Sequence, residues 1–450
     1  MIEREITLSE ILAAREERVS IQNALLGEYR APVVAFTMNI AGPVKRTALS
    51  HRSFLWGMEQ LRLGFGQNKI QVLKAFSRAL PTGDEGYFAV DASAERVKAL
   101  CVEIEEASPV GRLFDMDVIG LDGKKLERNS ERPCIVCGKP GRGCASRRVH
   151  TAAEVREASE LVMREAIARK DRARIGQKAT LALLEEVSVT PKPGLVDRAN
   201  NGAHRDMDFL SFQASAAALH SYWTACFERG ALGAHGDSGA ELPSETFAAL
   251  RPLGKQAERD MLAATGGVNT HKGAIFTLGV LCGAVGRLWT AEEGFPQVDI
   301  ILDEAAAMTR ETLEKELPAA RWNTAGEGLY RKYGVRGIRG QVADGLPAVR
   351  ELSLPVFREL LSRGLNRNHA AAVTLLHLIA KVEDTNLLHR GGPEGAAWAK
   401  EAAEALLAES GTPCLAELAE LDRRFIERNL SPGGCADLLA VTLFLDSLFS

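Results

Sequence analysis

The spacing of apolar residues changes near residue 151, and this change constrains the fold more than any other feature of the sequence. Before it, segments with strand and helix periodicity alternate, whereas after it almost every ordered segment has the length and periodicity of a helix. The stretch that begins at this change is polar, rich in glutamate and arginine, and compatible with a helix. We therefore predict an α+β domain at residues 1–150, a helical linker at 151–176 and a larger all-α domain at 177–450.

Length, charge and cysteine spacing exclude several classes of protein. A chain of 450 residues is too long for one ordinary core. Its net charge of −4 provides no field that would attract nucleic acid, and no apolar run suits a membrane span or a signal sequence. Most of the eight cysteines are scattered and do not form a disulfide framework. We expect a cytoplasmic protein with no nucleic-acid or membrane partner.

Three segments of the N-terminal domain have clear periodicity. Leu8–Leu26 is predicted to be an amphipathic helix, and Val33–Ile40 has the apolar, β-branched composition of a buried strand. That strand leads into a basic loop containing Lys45 and Arg46. A further helix is predicted to begin after Ser93, which is a favourable N-cap residue.

Two aspartates share one face of a later predicted strand, Gly111–Gly120. Because successive side chains of a strand point to opposite faces, Asp115 and Asp117 lie together while their apolar neighbours face the core. Their carboxylates are therefore candidate ligands of one divalent ion, with Arg112 nearby in the chain. The alternative is a solvated edge face that happens to carry two acids.

Cys134, Cys137, Cys144 and His150 form the pattern C-x2-C-x6-C-x5-H. Thiolate and imidazole are the usual ligands of tetrahedral zinc, although the six-residue gap differs from paired-finger spacing. The many arginines around the cluster suit a phosphate-binding loop equally well, and the cysteines could also be simply buried and reduced. The sequence leaves these alternatives open.

The stretch Val189–Asp208 cannot form a continuous helix or strand, because prolines, glycines and an Asn-Asn pair interrupt it. It nevertheless contains Lys192, Asp206 and Asp208, which suit phosphate or metal binding. A loop this long inside a compact domain is more often functional than connective. We therefore predict that it contributes to an active site.

A second polar stretch, Gly266–Gly273, precedes a predicted helix and carries Asn269, His271 and Lys272. Glycine-permitted backbone at a helix N-terminus is a natural anion site, although the stretch is not a Walker loop and an ordinary cap is the alternative. Three more loops with charged residues are predicted at Thr324–Gly340, Glu383–Gly392 and Leu430–Asp437. We expect all five to converge at one end of a helical bundle.

The converging loops would bring together carboxylates for magnesium and cations for phosphates. The carboxylates are Glu186, Asp206, Asp208, Glu327, Asp384 and Asp437, and the cations are Lys192, Lys272, Arg336, Arg339 and Arg390. His220 and His377 are predicted to be core histidines. The helices themselves are predicted at Phe209–Phe227, Ile275–Leu288, Val298–Leu317, Ala370–Val382, Glu394–Ala408 and Asp437–Leu448, with a glycine-rich loop or disordered excursion at Gly230–Ser244.

Several motifs carry a resemblance to known enzymes. TPKPGLVD with GAH-x-DMD, NTHKGAIF, TAGE-x2-Y-x2-YG-x2-G-x-RG, DTN-x3-RGG and LSPGG-x-ADLLA, spanning Gln177 to Phe449, resemble the triphosphoribosyl-dephospho-coenzyme A synthase family. SEILAAREERVSIQNALL, NIAGPVKR, TGDE, GRLFDMDV and CIVCGKPGRGCASRRVH resemble the citrate lyase holo-acyl-carrier-protein synthase, an apo-citrate lyase phosphoribosyl-dephospho-CoA transferase. The chain is thus similar to a fusion of the two. Cys435 departs from the synthase pattern, where a small residue is expected after SPGG.

The resemblance implies two consecutive reactions. In the second domain, the 2′-hydroxyl of dephospho-CoA would displace adenine from ATP, giving 2′-(5″-triphosphoribosyl)-3′-dephospho-CoA. Asp206, Asp208 and Glu327 would serve as catalytic carboxylates, with Asp206 and Asp208 also candidate Mg²⁺ ligands. Nucleotide binding would involve Lys192, Asn269, His271, Lys272, Arg339, Asp384 and Arg390.

In the first domain, the phosphoribosyl-dephospho-CoA group would pass to a serine of the citrate lyase acyl carrier protein, and diphosphate would leave. Mg²⁺ on Asp115 and Asp117 suits this displacement, while Lys45, Arg46 and Arg112 would neutralise the leaving group. The acid pair resembles that of nucleotidyltransferases, so we expect a nucleotidyltransferase-like N-terminal fold.

Two alternatives remain at this stage. The aspartate-rich helical loops would also suit a magnesium-dependent ribosyl glycohydrolase. The Cys/His cluster would suit a zinc-binding adaptor that docks a carrier protein.

Overall fold

The computed structural model describes residues 3–128, 130–236, 239–319 and 325–449. Two compact units divide the chain. Unit 1 contains Met1–Lys170 and Ala291–Glu293, and unit 2 contains Asp171–Thr290 and Gly294–Ser450. The boundary falls within one long helix, α5 (Ala152–Ser188), which includes the polar stretch predicted to be helical.

Unit 1 combines helices with one small sheet. Its elements before α5 are α1 (Leu8–Tyr29), β1 (Val33–Met38), α2 (Ala48–Gln67), β2 (Gln71–Leu80), β3 (Gly83–Asp91), α3 (Ala94–Glu106), β4 (Phe114–Ile119) and α4 (Gly141–Ser146). The strands are all antiparallel, in the order β2-β3-β1-β4. The predicted mixture of helices and strands is therefore confirmed.

The sheet of unit 1 lies between two helical layers. Helices α2 and α3 contact one side, and α1 packs on the other. Strand β1 is central, so it is apolar on both faces: Ala35 packs with α1, whereas Phe36 stacks on Phe54 of α2 with ring centroids 5.0 Å apart. The acid-bearing strand β4 is therefore left at an edge.

The structure confirms one predicted boundary in unit 1 and shifts another. The predicted N-cap Ser93 is confirmed, since its hydroxyl accepts a hydrogen bond from the amide of Arg96. The predicted strand Gly111–Gly120 begins later, at Phe114, because Pro109–Leu113 forms a 3₁₀ turn.

In the described part of unit 2 the regular elements are helices, as predicted. After the end of α5, its helices are α6 (Phe209–Ala218), α7 (His220–His235), α8 (Pro243–Ala264), α9 (Lys272–Leu288), α10 (Val298–Ala319), α11 (Ala325–Tyr333), α12 (Gly337–Ala343), α13 (Leu354–Ser362), α14 (Arg367–Lys381), α15 (Thr385–Ser410), α16 (Leu415–Glu427) and α17 (Gly433–Ser447), with a π-helical turn at Ala348–Ser353. Among the described residues, no helix is long and apolar enough to cross a membrane.

Glycines misled the prediction in one region. The segment Gly230–Ser244 was expected to be a loop, but α7 continues to His235. A Cβ atom at Gly230 would lie 2.0 Å from the carbonyl oxygen of Gly283, so glycine is needed for close helix packing there. The predicted helix Phe209–Phe227 is also divided into two, α6 and α7, at Leu219.

The polar loops of unit 2 differ in how irregular they are. Val189–Asp208 contains no helix or strand, as predicted. The other predicted loops contain the first turns of helices: Thr385 begins α15, Gly433 begins α17, and α11 and α12 occupy much of Thr324–Gly340. Charged residues in these stretches are therefore held on regular backbone.

Candidate functional site

The irregular segment Val189–Asp208 is held by buried hydrogen bonds. The carboxylate of Asp197 accepts a bond from the amide of Lys192 (3.1 Å), and Asp422 of α16 accepts one from the amide of Gly194 (2.8 Å). Gly194 has φ +70°, and a Cβ atom there would lie 2.1 Å from the carbonyl oxygen of Leu430. The segment is therefore fixed to its surroundings and presents its side chains in set positions.

All five predicted stretches contribute to one cavity of about 410 Å³ in unit 2. Its lining comes from the end of α5, the segment Val189–Asp208, the N-termini of α9, α15 and α17, and Ile338 of α12. Both the size and the mixture of polar and apolar groups are typical of a small-molecule site.

A buried ion pair lies in the cavity wall. The ammonium of Lys192 is 2.5 Å from a carboxylate oxygen of Glu186, and their side chains are only 2% and 5% exposed. Burial raises the pKa of Glu186, while the charge of Lys192 opposes that shift. A pair removed from water in this way persists only with good geometry, and loss of either partner would leave the other charge unpaired.

Asp437 of α17 brings a second, half-buried carboxylate to the cavity. Burial raises its pKa well above the usual range, and the charges of Glu186 and Asp384 raise it further. A Cβ atom at Gly273 would lie 1.9 Å from the Asp437 carboxylate, so only glycine lets the α9 N-terminus approach it. The cavity wall thus contains two carboxyl groups with raised pKa values and one ammonium group, that of Lys192.

The N-terminus of α9 offers two polar groups without partners. His271, the N-cap residue, bonds through Nδ1 to the hydroxyl of Ser215 (2.7 Å). Its Nε2 and the hydroxyl of Thr270 are buried and make no hydrogen bond within the described residues. Both residues line the cavity, so a bound ligand could satisfy these groups.

His204 is fixed between two partners on the cavity wall. Its Nδ1 is 3.0 Å from the guanidinium of Arg390, which can only donate, and its Nε2 is 2.8 Å from the hydroxyl of Ser431. Burial and the charge of Arg390 lower the pKa of His204 to about 4. The imidazole is therefore neutral near pH 7.

We predict that protonation of two histidines destabilises unit 2 in acid. The pKa is lowered from 6.5 to about 4 for His204, by burial and Arg390, and to about 3 for His271, by burial and Lys192. Below pH 6.5 the unfolded chain binds protons at these histidines that the folded chain does not bind. The free energy of unfolding therefore falls as pH falls toward those values. We expect the free energy of unfolding, measured with urea from pH 5 to 7, to depend less steeply on pH in His271→Asn than in the wild-type protein. The difference in slope should be up to about 1.4 kcal/mol per pH unit. An unchanged slope would contradict the assignment.

The predicted site residues of unit 2 divide into two groups. Those that line the cavity are Lys192, Asp206, Asn269, His271, Lys272 and Arg390. Asp208 instead caps α6 by accepting a bond from the amide of Ser211 (2.8 Å), and Asp384 caps α15. Arg339 lines a separate cavity of about 260 Å³. The side chain of Glu327 lies outside the described residues, although its backbone belongs to α11.

In unit 1, Asp115 and Asp117 lie on the same face of edge strand β4, opposite Thr37 and Ala35 of β1. Their apolar neighbours on β4 are buried, as the alternation predicts. Asp117 forms an ion pair of 2.5 Å with Lys125, and burial followed by the charge of Asp115 raises its pKa. The acid pair is accordingly close enough for its charges to repel.

The three predicted cations of unit 1 have other partners in the described structure. Lys45 donates to the carbonyl of Ile40 at 2.5 Å, and Arg46 donates to Asp84 at 2.8 Å. Arg112 donates to the carbonyl of Pro133. The cations beside the acid pair are instead Lys125 and Arg132, whose guanidinium is 3.8 Å from Asp115.

Sequence reasoning overlooked several of these groups. Lys125 and Arg132 follow β4 closely in the sequence, and the chain turns back along this edge strand. This closeness in sequence was the signal that could have predicted cations beside the acid pair. His204 lies within the predicted loop and was not chosen, and Ser431 carries no charge that would attract notice. Glu186 and Asp437 were predicted only as two of six possible magnesium ligands, without specific roles.

Two family models match successive parts of the chain. Residues 172–450 match the family described as CitG: ATP:dephospho-CoA triphosphoribosyl transferase. Residues 6–166 match the family described as CitX: Apo-citrate lyase phosphoribosyl-dephospho-CoA transferase.

Curated relatives match over different lengths. A Protein CitXG of Haemophilus influenzae is 37% identical, covering 98% of this chain and 96% of the relative. A Protein CitXG of Leuconostoc mesenteroides subsp. cremoris is 32% identical, covering 98% and 97%. The 2-(5''-triphosphoribosyl)-3'-dephosphocoenzyme-A synthase of Klebsiella pneumoniae is 43% identical, covering 59% of this chain and 88% of the relative. The chain therefore belongs to the CitXG family and is a bifunctional transferase, with an apo-citrate lyase phosphoribosyl-dephospho-CoA transferase part followed by an ATP:dephospho-CoA triphosphoribosyl transferase part.

Proposed function

We propose that the 410 Å³ cavity of unit 2 is the site where ATP and dephospho-CoA react. The observation that carries this proposal is the convergence of five separate stretches on one cavity, with Glu186 and Lys192 buried and Asp437 half-buried in its wall. The α9 N-terminus, with Lys272 and the unpartnered groups of Thr270 and His271, suits the triphosphate, because helix N-termini favour anions.

The proposed reaction exchanges one bond at the ribose of ATP. The 2′-oxygen of dephospho-CoA bonds to ribose C1′, the bond from C1′ to adenine breaks, and adenine takes its electron pair and a proton. Asp206, exposed on the cavity wall, is our candidate acceptor for the proton of the hydroxyl. Buried carboxylates near C1′ would stabilise the positive charge that develops there.

The buried acids also suit Mg²⁺. The charge of Glu186 raises the pKa of Asp437, and Lys192 supplies only one positive charge to the two carboxyl groups. Mg²⁺ commonly binds one or two carboxylates together with substrate phosphates. We therefore propose Glu186 and Asp437 as its ligands, rather than Asp208, whose carboxylate caps α6. Bound there, the ion would neutralise phosphate charge.

For unit 1 we propose that the product of the first reaction reacts beside Asp115 and Asp117. A serine oxygen of the citrate lyase acyl carrier protein would bond to the α-phosphorus, lose its proton, and displace diphosphate. Lys125, Arg112 and Arg132 would neutralise the leaving group, while the acid pair suits Mg²⁺ because its charges repel. This arrangement supports the expected nucleotidyltransferase-like fold, with the transferase at residues 1–150 and the synthase at 177–450.

Mass spectrometry of the carrier subunit tests the whole proposal. The subunit is incubated with this protein, ATP, dephospho-CoA and Mg²⁺, and we expect the mass of one phosphoribosyl-dephospho-CoA group on a serine, together with free adenine. Omitting dephospho-CoA should abolish both products. Adenine release without dephospho-CoA would favour the glycohydrolase alternative, and an unmodified carrier would overturn the two-step proposal.

A further inference from the structure

The four residues of the C-x2-C-x6-C-x5-H pattern come together in unit 1. One ligand atom from each of Cys134, Cys137, Cys144 and His150 lies within 4.8 Å of the others, and the sulfurs of Cys137 and Cys144 are 3.5 Å apart. Tetrahedral zinc with bonds of about 2.3 Å to sulfur places its ligand sulfurs about 3.8 Å apart. The observed spacing is therefore that of a four-ligand zinc site.

The backbone around the cluster is built to hold this geometry. The amide of Cys134 bonds to the carbonyl of Lys139 (2.7 Å), and the amide of Gly138 bonds back to the carbonyl of Cys134 (2.8 Å). These bonds fold the first two cysteines into a tight turn. Cys144 lies on α4, and a bond of 3.0 Å from the amide of Val149 to its carbonyl returns the chain so that His150 reaches the thiols.

His150 supplies an independent observation. Its Nε2 is buried and makes no hydrogen bond within the described residues. A buried polar atom without a partner loses its hydration and gains nothing in return, so an arrangement that keeps one calls for an explanation. Coordination of a cation by the imidazole would supply the missing partner, whereas a set of merely reduced cysteines would not.

We propose that Cys134, Cys137, Cys144 and His150 bind a structural Zn²⁺ ion. The set offers four protein ligands and so matches closed structural sites, which leave no position for substrate. The exposed position of Cys137 allows the ion to enter from solvent. This proposal does not depend on the roles assigned to any catalytic residue.

The ion would also fix Arg132, which lies beside the acid pair of β4, together with Arg112. Arg132 lies two residues before Cys134 and pairs with Glu105 at 2.5 Å and with Asp115 at 3.8 Å. Arg112 donates to the carbonyl of Pro133. Zinc binding therefore positions both guanidinium groups through the backbone of the first turn, without contact between the ion and the substrate.

Metal content tests the proposal directly. Protein purified without chelator should contain one zinc per chain by plasma mass spectrometry, and Co²⁺ exchange should produce the absorption bands of tetrahedral thiolate coordination. Cys134→Ser and Cys137→Ser should each bind zinc at least about tenfold more weakly. Cys414→Ser, which changes an exposed cysteine outside the cluster, is the matched control and should retain full zinc content.

Two results would overturn the zinc proposal. One is wild-type protein that stays free of metal after reconstitution with Zn²⁺ although its thiols are reduced. The other is a Cys137–Cys144 disulfide found by non-reducing peptide mass spectrometry in protein kept from oxidants. Both measurements use wild-type protein, so they remain decisive even where a cysteine variant fails to fold.

Discussion

The Asp437→Asn variant is expected to release adenine from ATP at least about a hundredfold more slowly than the wild-type protein. Asparagine keeps the shape of the side chain but removes the carboxylate that we assign to Mg²⁺ binding at the cavity wall. The pKa of Asp437 is raised by burial and by Glu186 and Asp384, so its ionised form costs stability at neutral pH. We therefore expect the free energy of unfolding to remain equal or to increase.

The combination of lost activity and retained stability is the diagnostic result for Asp437. Adenine is measured by chromatography and stability by urea unfolding. Asp446→Asn provides the matched control, because Asp446 is a buried aspartate of the same helix that pairs with Arg358 and Arg367. It should lower stability and leave adenine release near the wild-type rate. Wild-type adenine release by Asp437→Asn would contradict the assignment.

The Asp115→Asn variant should have the reverse profile. We expect transfer to the carrier subunit to fall about 10²–10³-fold, since one of the two carboxylates that we propose for Mg²⁺ is removed. Adenine release should persist, because Asp115 belongs to unit 1 whereas the 410 Å³ cavity belongs to unit 2. The supplied substrate is the triphosphoribosyl intermediate, and the measurement is the mass of the carrier with time.

The turn after β4 offers the control for Asp115. Asp122 is exposed, and its carboxylate accepts a bond of 3.1 Å from the amide of Lys124. Asp122→Asn should transfer the group at the wild-type rate. Full carrier modification by Asp115→Asn would sink the catalytic assignment for unit 1, whatever happens to adenine release.

The two variants can also be mixed. Asp115→Asn protein should accumulate the intermediate and Asp437→Asn protein should consume it, so the mixture should modify the carrier although neither variant does so alone. A silent mixture of two folded variants would show that the two reactions were not separated as assigned.

Local chemistry made the polar segments of unit 2 recognisable in advance. Prolines and glycines in Val189–Asp208 forbid regular structure over a few residues, and the structure is irregular there. Polar residues directly before a long apolar helix predicted the start of α9, which begins at Lys272. In both cases the deciding interactions lie within one or two turns of backbone, so the sequence contains them completely.

Residue type alone was a poor guide to the task of each acid. Asp206 and Asp208 belong to the same motif, but one lines the cavity and the other caps a helix. The carboxylate of Asp384 likewise accepts hydrogen bonds from three backbone amides, among them that of Cys435. A capping aspartate and a ligand-binding aspartate have the same chemistry, and only the surrounding groups distinguish them.

Glycine illustrates the same limit for the fold. Gly230 was predicted to break a helix, yet it lies inside α7 where the chain approaches Gly283 of α9. The sequence shows that a side chain is missing but not whether a turn or a neighbouring helix requires the space.

By itself, the sequence determined the two-part organisation, two of the four described strands, many of the helices, and the family to which the motifs belong. The tertiary structure alone decided that Glu186, Lys192 and Asp437 line one cavity, and that Lys125 and Arg132 accompany the acid pair of β4. The reason is physical. Backbone preferences act between near neighbours, whereas burial and the repulsion of charges depend on groups that only folding brings together.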